Sequence, residues 1–384
     1  FALRMLGLFL VLPVFMLEAR KYPGGDDPAL VGLAMGMYGL TQAFFQLPLG
    51  MASDRFGRKR VIVLGLAVFA AGSLVAALAD SVMGLLLGRA LQGAGAVSAA
   101  VTALLADQTR DAVRTKAMAL VGISIGLMFA IALVLAPLLT AHIGLSGLFT
   151  LTFALALAGV ALIVWVVPPE TRHHADLPQG RLADVWRHAD LRRLNLGVFA
   201  LHSIQMAMWV AVPALLVQAG LAKNAHWQVY LPAVVLAFGA IGWLFSMERR
   251  GRLRGAMLAA IGLVLLAQLG LLAVSALAGS SAPALWPLAV LLLVFFCGFN
   301  MLESSQPSLV SRMAAASLRG SALGAYNTLQ SLGLFAGGAL GGALLKSAGM
   351  PGLFAATAIL VGLWLLLAWP LQPPGRPPVA APAS

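Results

Sequence analysis

The stretch Gly50-Met51-Ala52-Ser53-Asp54-Arg55-Phe56-Gly57-Arg58-Lys59-Arg60 lies between two long apolar segments of a chain that is 61% hydrophobic. It holds five charged residues and two glycines within eleven positions, which is typical of a tight loop between two membrane-spanning helices. The pattern of residues 54–58 returns as Glu248-Arg249-Arg250-Gly251-Arg252, with Glu in place of Asp. Because the offset of 194 residues is about half of the 384-residue chain, we predict two homologous halves.

Charged residues are scarce along the whole chain, at 10%, and the mean hydropathy is +0.94. A soluble domain carries roughly 25% charged residues, so this chain could not cover an aqueous surface. Each crossing of a bilayer needs about 20 mainly apolar residues in a helix that satisfies its own backbone. We therefore predict an all-α membrane protein with about twelve transmembrane helices in two pseudo-symmetric six-helix halves.

Of the 25 Lys and Arg residues, 23 are assigned to one end or the other of the predicted spans, and their distribution is uneven. Nineteen fall at one end, and only Arg20, Lys21, Lys223 and Lys346 fall at the other. By the positive-inside rule the richer end is cytoplasmic, which places both termini there. The net charge of +12 thus reflects topology, and we predict no nucleic-acid partner. Glu18, beside two of the four outer basic residues, is expected to be a solvated interfacial group.

Twelve apolar segments are assigned as spans. They are residues 2–20, 29–52, 60–79, 82–106, 115–140, 146–167, 194–219, 226–247, 255–278, 284–311, 319–345 and 351–371. Four regions follow from them: an N-terminal six-helix bundle at 1–167, a cytoplasmic linker at 168–193, a C-terminal six-helix bundle at 194–371 and a Pro/Ala-rich cytoplasmic tail at 372–384. Within the linker, residues 182–186 form an amphipathic stretch that we expect to lie on the membrane surface.

Two ionisable residues lie deep inside predicted spans. Insertion of a charge there costs at least about 3 kcal/mol, so each of them needs a partner or a function. Arg89, in the fourth span, could bind an anionic group, hold a protonatable carboxylate or form a structural pair. Glu303 shares one face of the tenth span with Asn300 and Gln306. Because burial disfavours a charged carboxylate, Glu303 is the best candidate for a proton carrier, with a permanently hydrogen-bonded carboxyl as the alternative. We predict proton coupling at Glu303 and Arg89.

Polar and aromatic residues recur on successive turns of several spans, which is typical of a surface that faces protein or a cavity rather than lipid. We predict a substrate cavity lined by Tyr38, Gln42, Gln46, Met128, His202, Gln205, Trp209, Asn300, Tyr326, Asn327 and Gln330. Hydrogen bonding between helices, or plain packing for the methionine, is the alternative for each. Further apolar residues, Phe44, Phe45 and Phe129, would favour amphipathic ligands.

The loop at residues 50–59 resembles the signature loop of the major facilitator superfamily, Gly-x-x-x-Asp-Arg-x-Gly-Arg-Lys. Arg89-Ala90-Leu91-Gln92-Gly93-Ala94-Gly95 resembles the fourth-helix motif of the same family, whose arginine is linked to proton coupling in drug:proton antiporters. The stretches 3–9, 38–43 and 115–119 are similar to the YajR-type efflux transporters of proteobacterial inner membranes. The resemblance implies the major facilitator fold and a bacterial inner-membrane location.

Two features depart from the family pattern. The antiporter motif of the fifth helix ends Gly-Pro-x-x-Gly-Gly, whereas Ala136-Pro137-Leu138-Leu139-Thr140-Ala141 keeps only the proline. The YajR-type proteins also carry a soluble C-terminal domain, and here only the short tail follows Pro370. The first departure weakens the assignment of export.

The signature loop also predicts a conformational switch. Asp54, at the C-terminal end of its helix, is disfavoured by the helix dipole and needs positive charge from outside. Arg58 is one natural partner, and the resemblance implies a second at the start of the eleventh span near Arg319. Such contacts would latch the halves together on the cytoplasmic side and break when that side opens. The predicted switch residues are Gly50, Asp54, Arg55, Gly57, Arg58 and Asp107.

These features together favour a proton-coupled efflux antiporter that works by rocker-switch alternating access. The predicted partners are an amphipathic or drug-like small molecule, protons and membrane lipids, and a monomer suffices for this fold. Two alternatives stay open: a proton-coupled importer of a small anionic metabolite with Arg89 as its anion ligand, and a non-transporting membrane sensor. No nucleotide-binding motif, nucleophile–base pair or metal-ligand pattern is present in the sequence, so we predict neither an enzyme nor a cofactor.

Overall fold

The computed structural model describes residues 1–168, 182–277, 282–315 and 318–373, and these ranges contain helices and connecting segments but no strand. The linker residues 169–181 and the tail residues 374–384 lie outside them. The α-helices are, in chain order, α1 Ala2–Val11, α2 Phe15–Glu18, α3 Pro28–Phe56, α4 Arg58–Ala77, α5 Val82–Ala94, α6 Ser98–Gln108, α7 Asp111–Trp165, α8 Leu182–Arg187, α9 Ala189–Gln218, α10 Trp227–Arg249, α11 Leu253–Leu277, α12 Leu285–Met313 and α13 Arg319–Ala368.

Ten helical segments in the described ranges are long and apolar enough to cross a membrane, when the bent pair that begins the chain is counted as one. Two of them, α7 and α13, are about twice as long as a span needs to be. Each is interrupted by one non-helical glycine, Gly144 (φ 65°) in α7 and Gly349 (φ 66°) in α13. Counting two spans in each of these helices gives twelve, in agreement with the predicted all-α fold.

Two spans are broken where the sequence predicted continuous helices. The first span bends by 45° between α1 and the segment that starts at Phe15, next to Pro13, whose ring removes a backbone donor. The fourth span is divided into α5 and α6 at residues 95–97. There Gly95 packs so closely on α4 that an added Cβ would lie 2.9 Å from the Phe69 nitrogen. Both breaks expose backbone groups inside the bundle, and one of them is used in the site described below.

The turns of the two halves repeat one another. Each of the six positive-φ glycines in the described ranges has a counterpart in the other half, which gives the pairs Gly24 and Gly220, Gly57 and Gly251, and Gly144 and Gly349. The φ angles within these pairs differ by at most 28°. Residues with a side chain rarely adopt this conformation, so the backbone itself demands glycine at these turns. The sequence repeat is thus matched by a structural repeat.

We call the end of the bundle that carries Arg58, Lys59 and Arg60 the basic end, and the opposite end, with Asp27 and Lys346, the far end. The N-terminal and C-terminal halves meet most closely along α3 and α13, near the far end. A Cβ on Gly338 would lie 2.8 Å from the backbone of both Gly32 and Gly36, so these two helices touch backbone to backbone. Nearer the basic end, a Cβ added to Gly324 would contact only the end of the flexible Leu47 side chain, at 3.1 Å. The two helices therefore diverge towards the basic end.

An ion pair joins the halves at the far end. The Asp27 carboxylate, just before α3, accepts a hydrogen bond from Lys346 Nζ of α13 at 2.7 Å. This bond is the main reason that the pKa of Asp27 is lowered. A carboxylate with a lowered pKa stabilises the fold above its ordinary pKa of about 3.9, and the contribution is lost as pH falls through the lowered value.

We therefore expect Asp27→Asn to lower the thermal unfolding midpoint modestly and by a constant amount between about pH 5 and pH 8. The difference from wild type should shrink below about pH 4, where the native carboxylate becomes protonated. Thermal unfolding of purified protein in detergent at several pH values measures this. A difference that grew on acidification would contradict the assigned ion pair.

The helix α8 falls within the predicted linker. Its Val185 is fully buried and belongs to the same apolar core as residues of α9 and α13. Trp186, the other large apolar residue of this stretch, is 39% exposed. The predicted amphipathic stretch is therefore helical, and it packs one apolar side chain onto the C-terminal helices.

Candidate functional site

A carboxylate and an imidazole meet within the C-terminal helices. Glu303 of α12 has its Oε2 atom 3.5 Å from Nε2 of His202 in α9. Gln330 of α13 donates from its amide to Glu303 Oε1 at 3.2 Å and also lies 2.8 Å from His202 Nε2. Three helices thus bring an acid, a base and an amide together, and we call this group the Glu303–His202 cluster.

The hydrogen bonds of this cluster fit a neutral histidine. His202 Nδ1 lies 3.0 Å from the Val198 carbonyl oxygen, which can only accept, so Nδ1 carries the hydrogen. His202 Nε2 then keeps a lone pair that accepts from the Gln330 amide. A second proton, on Nε2, would point towards Glu303 and would require the Gln330 amide to turn. The cluster therefore has two mutually exclusive arrangements of its protons, and the orientation of the Gln330 amide differs between them.

The side chains of His202 and Glu303 differ in their exposed fraction. The His202 side chain is 5% exposed, whereas the Glu303 side chain is 39% exposed although it lies well inside a span. A carboxylate at this depth is costly unless it serves a function. The Oε2 atom of Glu303 is itself buried and has no hydrogen-bond partner among the described residues, so the exposed fraction lies on other atoms of the side chain.

An aromatic layer lies on the far-end side of this cluster and joins the two halves. Phe129 of α7 contacts Phe9 of α1 (ring centroids 5.2 Å apart) and, across the interface, Trp209 of α9 and Phe296 of α12 (6.3 Å each). Trp209 follows His202 by two helical turns, and Phe296 precedes Glu303 by two turns on the antiparallel helix. The rings therefore lie between the cluster and the far end. The predicted aromatic residues Phe44 and Phe45 contact each other instead, and Phe44 is 73% exposed.

A second polar group lies in the N-terminal half and contains two buried arginines. Arg4 of α1 is 2% exposed and Arg89 of α5 is 1% exposed. Arg4 Nη2 donates to the Tyr38 hydroxyl at 2.9 Å, and the Arg89 guanidinium lies 4.8 Å from the centre of the same tyrosine ring. Arg89 also donates to Gln92 Oε1 at 2.9 Å and to the Met35 carbonyl oxygen at 3.4 Å. We call this group the arginine cluster.

Neither arginine has a carboxylate partner among the contacts of the described residues, so of the alternatives for Arg89 the one that pairs it with a protonatable acid is not observed there. Dipoles stabilise the two positive charges in place of a carboxylate. Arg4 donates to the Gly95 carbonyl oxygen (3.5 Å) at the C-terminal end of α5, where the helix dipole is negative. The Tyr38 ring faces Arg89 as a cation–π partner. Both guanidinium groups keep a buried Nε atom without a hydrogen-bond partner.

Sequence reasoning missed Arg4 as a site residue. Its position at the start of the first span suggests a side chain that reaches back to the basic end, as arginines near span ends commonly do. The break of the fourth span at Gly95, which supplies the acceptor, is visible only in the structure. A buried arginine near a helix start could have been suspected from its apolar neighbours alone, but its partners could not.

The remaining predicted cavity residues occupy different surroundings. Gln205 and Trp209 border a small space of about 10 Å³ within the C-terminal helices, next to Tyr230. Met128 packs against the apolar group around Tyr38. Asn327 is half-buried on α13. Buried polar atoms without a hydrogen-bond partner in the described ranges include Gln42 Oε1, Gln46 Oε1, Trp209 Nε1, Asn300 Nδ2, Gln306 Oε1 and Tyr326 Oη. Such atoms are free to bind water or a ligand.

The signature loop forms the expected local contacts. Arg58 pairs with Asp54, and its Nε atom lies 3.1 Å from Asp107 Oδ2. Arg319, at the start of the eleventh span where a second partner of Asp54 is expected, donates to the Ser311 carbonyl oxygen at 3.0 Å. The Arg319 side chain therefore does not supply the second charge at Asp54 in this conformation, in which α3 and α13 diverge towards the basic end.

The other predicted switch residues shape the same loop. Gly57 adopts a φ of 100°, Gly50 accepts a hydrogen bond from the Ser53 hydroxyl at 2.6 Å, and the Arg55 guanidinium lies 5.5 Å from its neighbouring phenylalanine ring. In the C-terminal half, Glu248 at the equivalent position pairs with Arg312 at 2.8 Å.

Two pseudo-equivalent six-helix halves, a polar centre and aromatic contacts across the interface define the architecture of a secondary membrane transporter. The chain belongs to the major facilitator superfamily, whose family model, "Major Facilitator Superfamily", matches residues 1–338. This confirms the resemblance carried by the signature loop.

The similar proteins include transporters and a drug-resistance protein. The chain is 43% identical over 379 residues (97% of this chain and 82% of the relative) to the inner membrane transport protein YajR of Escherichia coli strain K12. It is 28% identical over 376 residues (95% and 92%) to multidrug resistance protein 2 of Bacillus subtilis strain 168. Among solved structures, a bacterial homologue of the human lysosomal transporter Spinster matches with a TM-score of 0.71, 14% identity and coverage of 96% and 94%. The last match shows a shared fold.

Proposed function

We propose that the protein is a proton-coupled antiporter that exports amphipathic small molecules by alternating access. The observation that carries this proposal is the Glu303–His202 cluster. It places a partly exposed glutamate side chain inside the span and connects it to an enclosed imidazole through Gln330. Proton uptake at Glu303 would rearrange this network, and the network joins the three helices α9, α12 and α13.

The uneven distribution of basic residues assigns the basic end to the cytoplasm. The close α3–α13 contact and the aromatic layer both lie between the cluster and the far end. The conformation is then open towards the cytoplasm and closed towards the outside. In this state Glu303 would release its proton to the cytoplasm, and substrate would enter from the same side.

The substrate class follows from the surfaces around Glu303. Phe129, Trp209 and Phe296 supply apolar contacts, and Phe299 lies 5.9 Å from the His202 ring. The similarity to a multidrug resistance protein also supports amphipathic small molecules as the substrate class. We assign the signature-loop residues Asp54, Arg58 and Asp107 to the conformational switch, because Arg58 links both acids in this state.

The proposal is tested in liposomes that contain purified protein and an imposed pH gradient. Cationic and neutral amphipathic compounds are added while an internal dye reports the pH. Release of protons on addition of a compound, dependent on the protein, is the expected result. If no compound in a broad set triggers proton movement, the antiport proposal is wrong.

The arginine cluster favours a second candidate, a proton-coupled importer of a small organic anion. Two buried guanidinium groups without a carboxylate partner among the described contacts resemble an incomplete anion site. Saturable uptake of an organic carboxylate, driven by an inward proton gradient, would support this candidate instead. Uptake lost in both Arg4→Gln and Arg89→Gln would place the anion at this cluster.

The main proposal assigns the arginine cluster a structural role and not the predicted proton coupling at Arg89, because no carboxylate lies among the contacts of Arg89 in the described ranges. We then expect Arg4→Gln to destabilise the protein by about 1–3 kcal/mol, because the Tyr38 hydroxyl and the Gly95 carbonyl oxygen lose their donor in a buried setting. Thermal unfolding in detergent measures the effect. Arg20→Gln, at an exposed position near the far end, is the matched control and should leave stability unchanged. Equal stability of the two variants would contradict the structural role.

A further inference from the structure

A cavity of about 250 Å³ lies at the far end, between the two halves. Glu18 of α2 and Lys21 line one side, Pro137 of α7 lines another, and the connection between α9 and α10 supplies Lys223 and His226. We call this space the far-end cavity. Pockets for drug-sized ligands measure about 300–1,000 Å³, so a smaller molecule fits here.

The far-end cavity is separate from the Glu303–His202 cluster. The His226 ring contacts the Tyr230 ring (centroids 6.0 Å apart), and Tyr230 contacts Trp209 of the aromatic layer (5.3 Å). The aromatic layer therefore lies between the cluster and this cavity. A ligand in the far-end cavity would not occupy the space around Glu303.

Glu18, in the wall of the cavity, is not the solvated group that its sequence position predicts. The residue is 5% exposed, and its carboxylate accepts a hydrogen bond from Lys21 Nζ on the same segment. A buried carboxylate needs a positive partner, and Lys21 provides one. The charge of Glu18 is thus compensated without any contribution from a ligand.

Lys223 adds a second positive charge that Glu18 does not fully use. Its Nζ atom lies 3.7 Å from Glu18 Oε1, beyond the limit of about 3.2 Å for an N–H···O hydrogen bond. The Lys223 side chain is 49% exposed, so its donors can turn towards a ligand. The charged residues that line the cavity are one glutamate and two lysines, with a net charge of +1. An anionic ligand would neutralise this charge.

His226 offers a buried acceptor on the same wall. The residue is 2% exposed and forms a hydrogen bond with the Leu221 backbone. The Leu221 N–H already bonds to the Leu216 carbonyl oxygen, so the Leu221 carbonyl oxygen is the acceptor for the His226 ring. His226 Nε2 has no hydrogen-bond partner in the described ranges, so the bond to Leu221 uses Nδ1–H. In the neutral ring, Nε2 then keeps a free lone pair that accepts from a hydroxyl group.

The remaining walls are apolar, and the two polar groups project together. Val14, Leu17, Pro137 and Ala141 supply apolar contacts. Lys223 begins a single 3-10 turn that ends just before His226, and side chains three residues apart in such a turn eclipse one another. One ligand can therefore meet the ammonium group and the imidazole with neighbouring functional groups.

We propose that the far-end cavity binds a small 2-hydroxycarboxylate that carries an apolar substituent. Its carboxylate pairs with Lys223, its hydroxyl donates to His226 Nε2, and its substituent contacts the apolar wall around Pro137. The inference goes beyond the proposed antiport, because binding at this site requires neither proton flux nor a change of access.

The test measures equilibrium binding of radiolabelled mandelate, a 2-hydroxycarboxylate with a phenyl substituent, to purified protein in detergent. Unlabelled phenylacetate, which lacks the hydroxyl, and mandelamide, which lacks the charge, compete for the site. Saturable mandelate binding is expected. Phenylacetate should bind about two- to tenfold more weakly, because one hydrogen bond is lost, and mandelamide at least about tenfold more weakly, because the charged contact is lost.

Two variants assign the contacts to residues. His226→Phe keeps a ring against Tyr230 but removes the acceptor, so mandelate and phenylacetate should then bind equally well. Lys223→Gln should weaken both carboxylates by about tenfold and leave mandelamide unchanged. Arg20→Gln removes an exposed positive charge at the same end, outside the cavity wall, and is the matched control with unchanged mandelate affinity.

Either of two results would overturn the site. One is the absence of saturable mandelate binding to the wild-type protein. The other is mandelate binding that persists in Lys223→Gln, which would place the anion elsewhere, as at the arginine cluster. Thermal unfolding confirms that each variant is folded, and the exposed Lys223 keeps the test decisive if His226→Phe does not fold. The assay uses no pH gradient, so failure of the site and failure of the antiport proposal are distinguished.

Discussion

Replacement of Glu303 by Gln is expected to reduce substrate-triggered proton release in liposomes to the level of empty vesicles. Glutamine has nearly the same shape and can still accept a hydrogen bond from Gln330, whose amide lies 3.2 Å from Glu303 Oε1. It cannot take up or release a proton near neutral pH. The variant should therefore fold normally and fail only in coupling.

The matched control is Glu248→Gln, the same change at the basic end, where the carboxylate is 34% exposed and pairs with Arg312. This variant should retain proton release, because an exposed ion pair adds little to the energetics. Substrate binding by Glu303→Gln, measured by tryptophan fluorescence, separates lost coupling from lost binding. Wild-type proton release by Glu303→Gln would move the proton site away from the Glu303–His202 cluster.

A second large effect is expected for Gly338→Val. An added Cβ at this position would lie 2.8 Å from the backbone of Gly32 and Gly36, which cannot move aside as a flexible side chain can. Forcing side-chain atoms into such a contact costs about 1–3 kcal/mol. The closed far end should lose this amount relative to the open one, which is roughly a 5- to 150-fold change in their ratio.

The distance between spin labels at Leu78→Cys and Ala284→Cys, exposed far-end positions on opposite halves, should therefore lengthen in most molecules of Gly338→Val, with Cys297→Ala removing the native cysteine. Transport should fall because the far end can no longer close tightly. Gly362→Val is the matched control on the same helix, since nothing lies within 4 Å of its added Cβ. Similar distance distributions for the two glycine variants would show that the α3–α13 contact does not govern closure. Loss of folding in Gly338→Val is recognised by size-exclusion chromatography, and Gly338→Ala then provides the milder test.

The arginine cluster and the Glu303–His202 cluster belong to different halves of the protein. In the described part of the N-terminal half, the buried charges are the guanidinium groups of Arg4 and Arg89 together with Glu18 at the far end. The C-terminal half contributes Glu303, with His202 beside it. Aromatic rings from both halves lie between Glu303 and the far end. Under the proposed coupling, a proton taken up at Glu303 would therefore act first on the C-terminal helices.

The amino-acid sequence by itself determined the class of protein, the all-α fold and the repeat, because composition, hydropathy and the spacing of loop charges are local properties. The bilayer makes such local patterns unusually informative, since a span must satisfy its own backbone. Only the tertiary structure decided which side chains contact one another. It paired Glu303 with His202, gave Arg89 no carboxylate partner among the described residues and placed the Glu18 carboxylate beside Lys223. These contacts depend on helix breaks and on the packing of segments far apart in the chain, which no local pattern encodes.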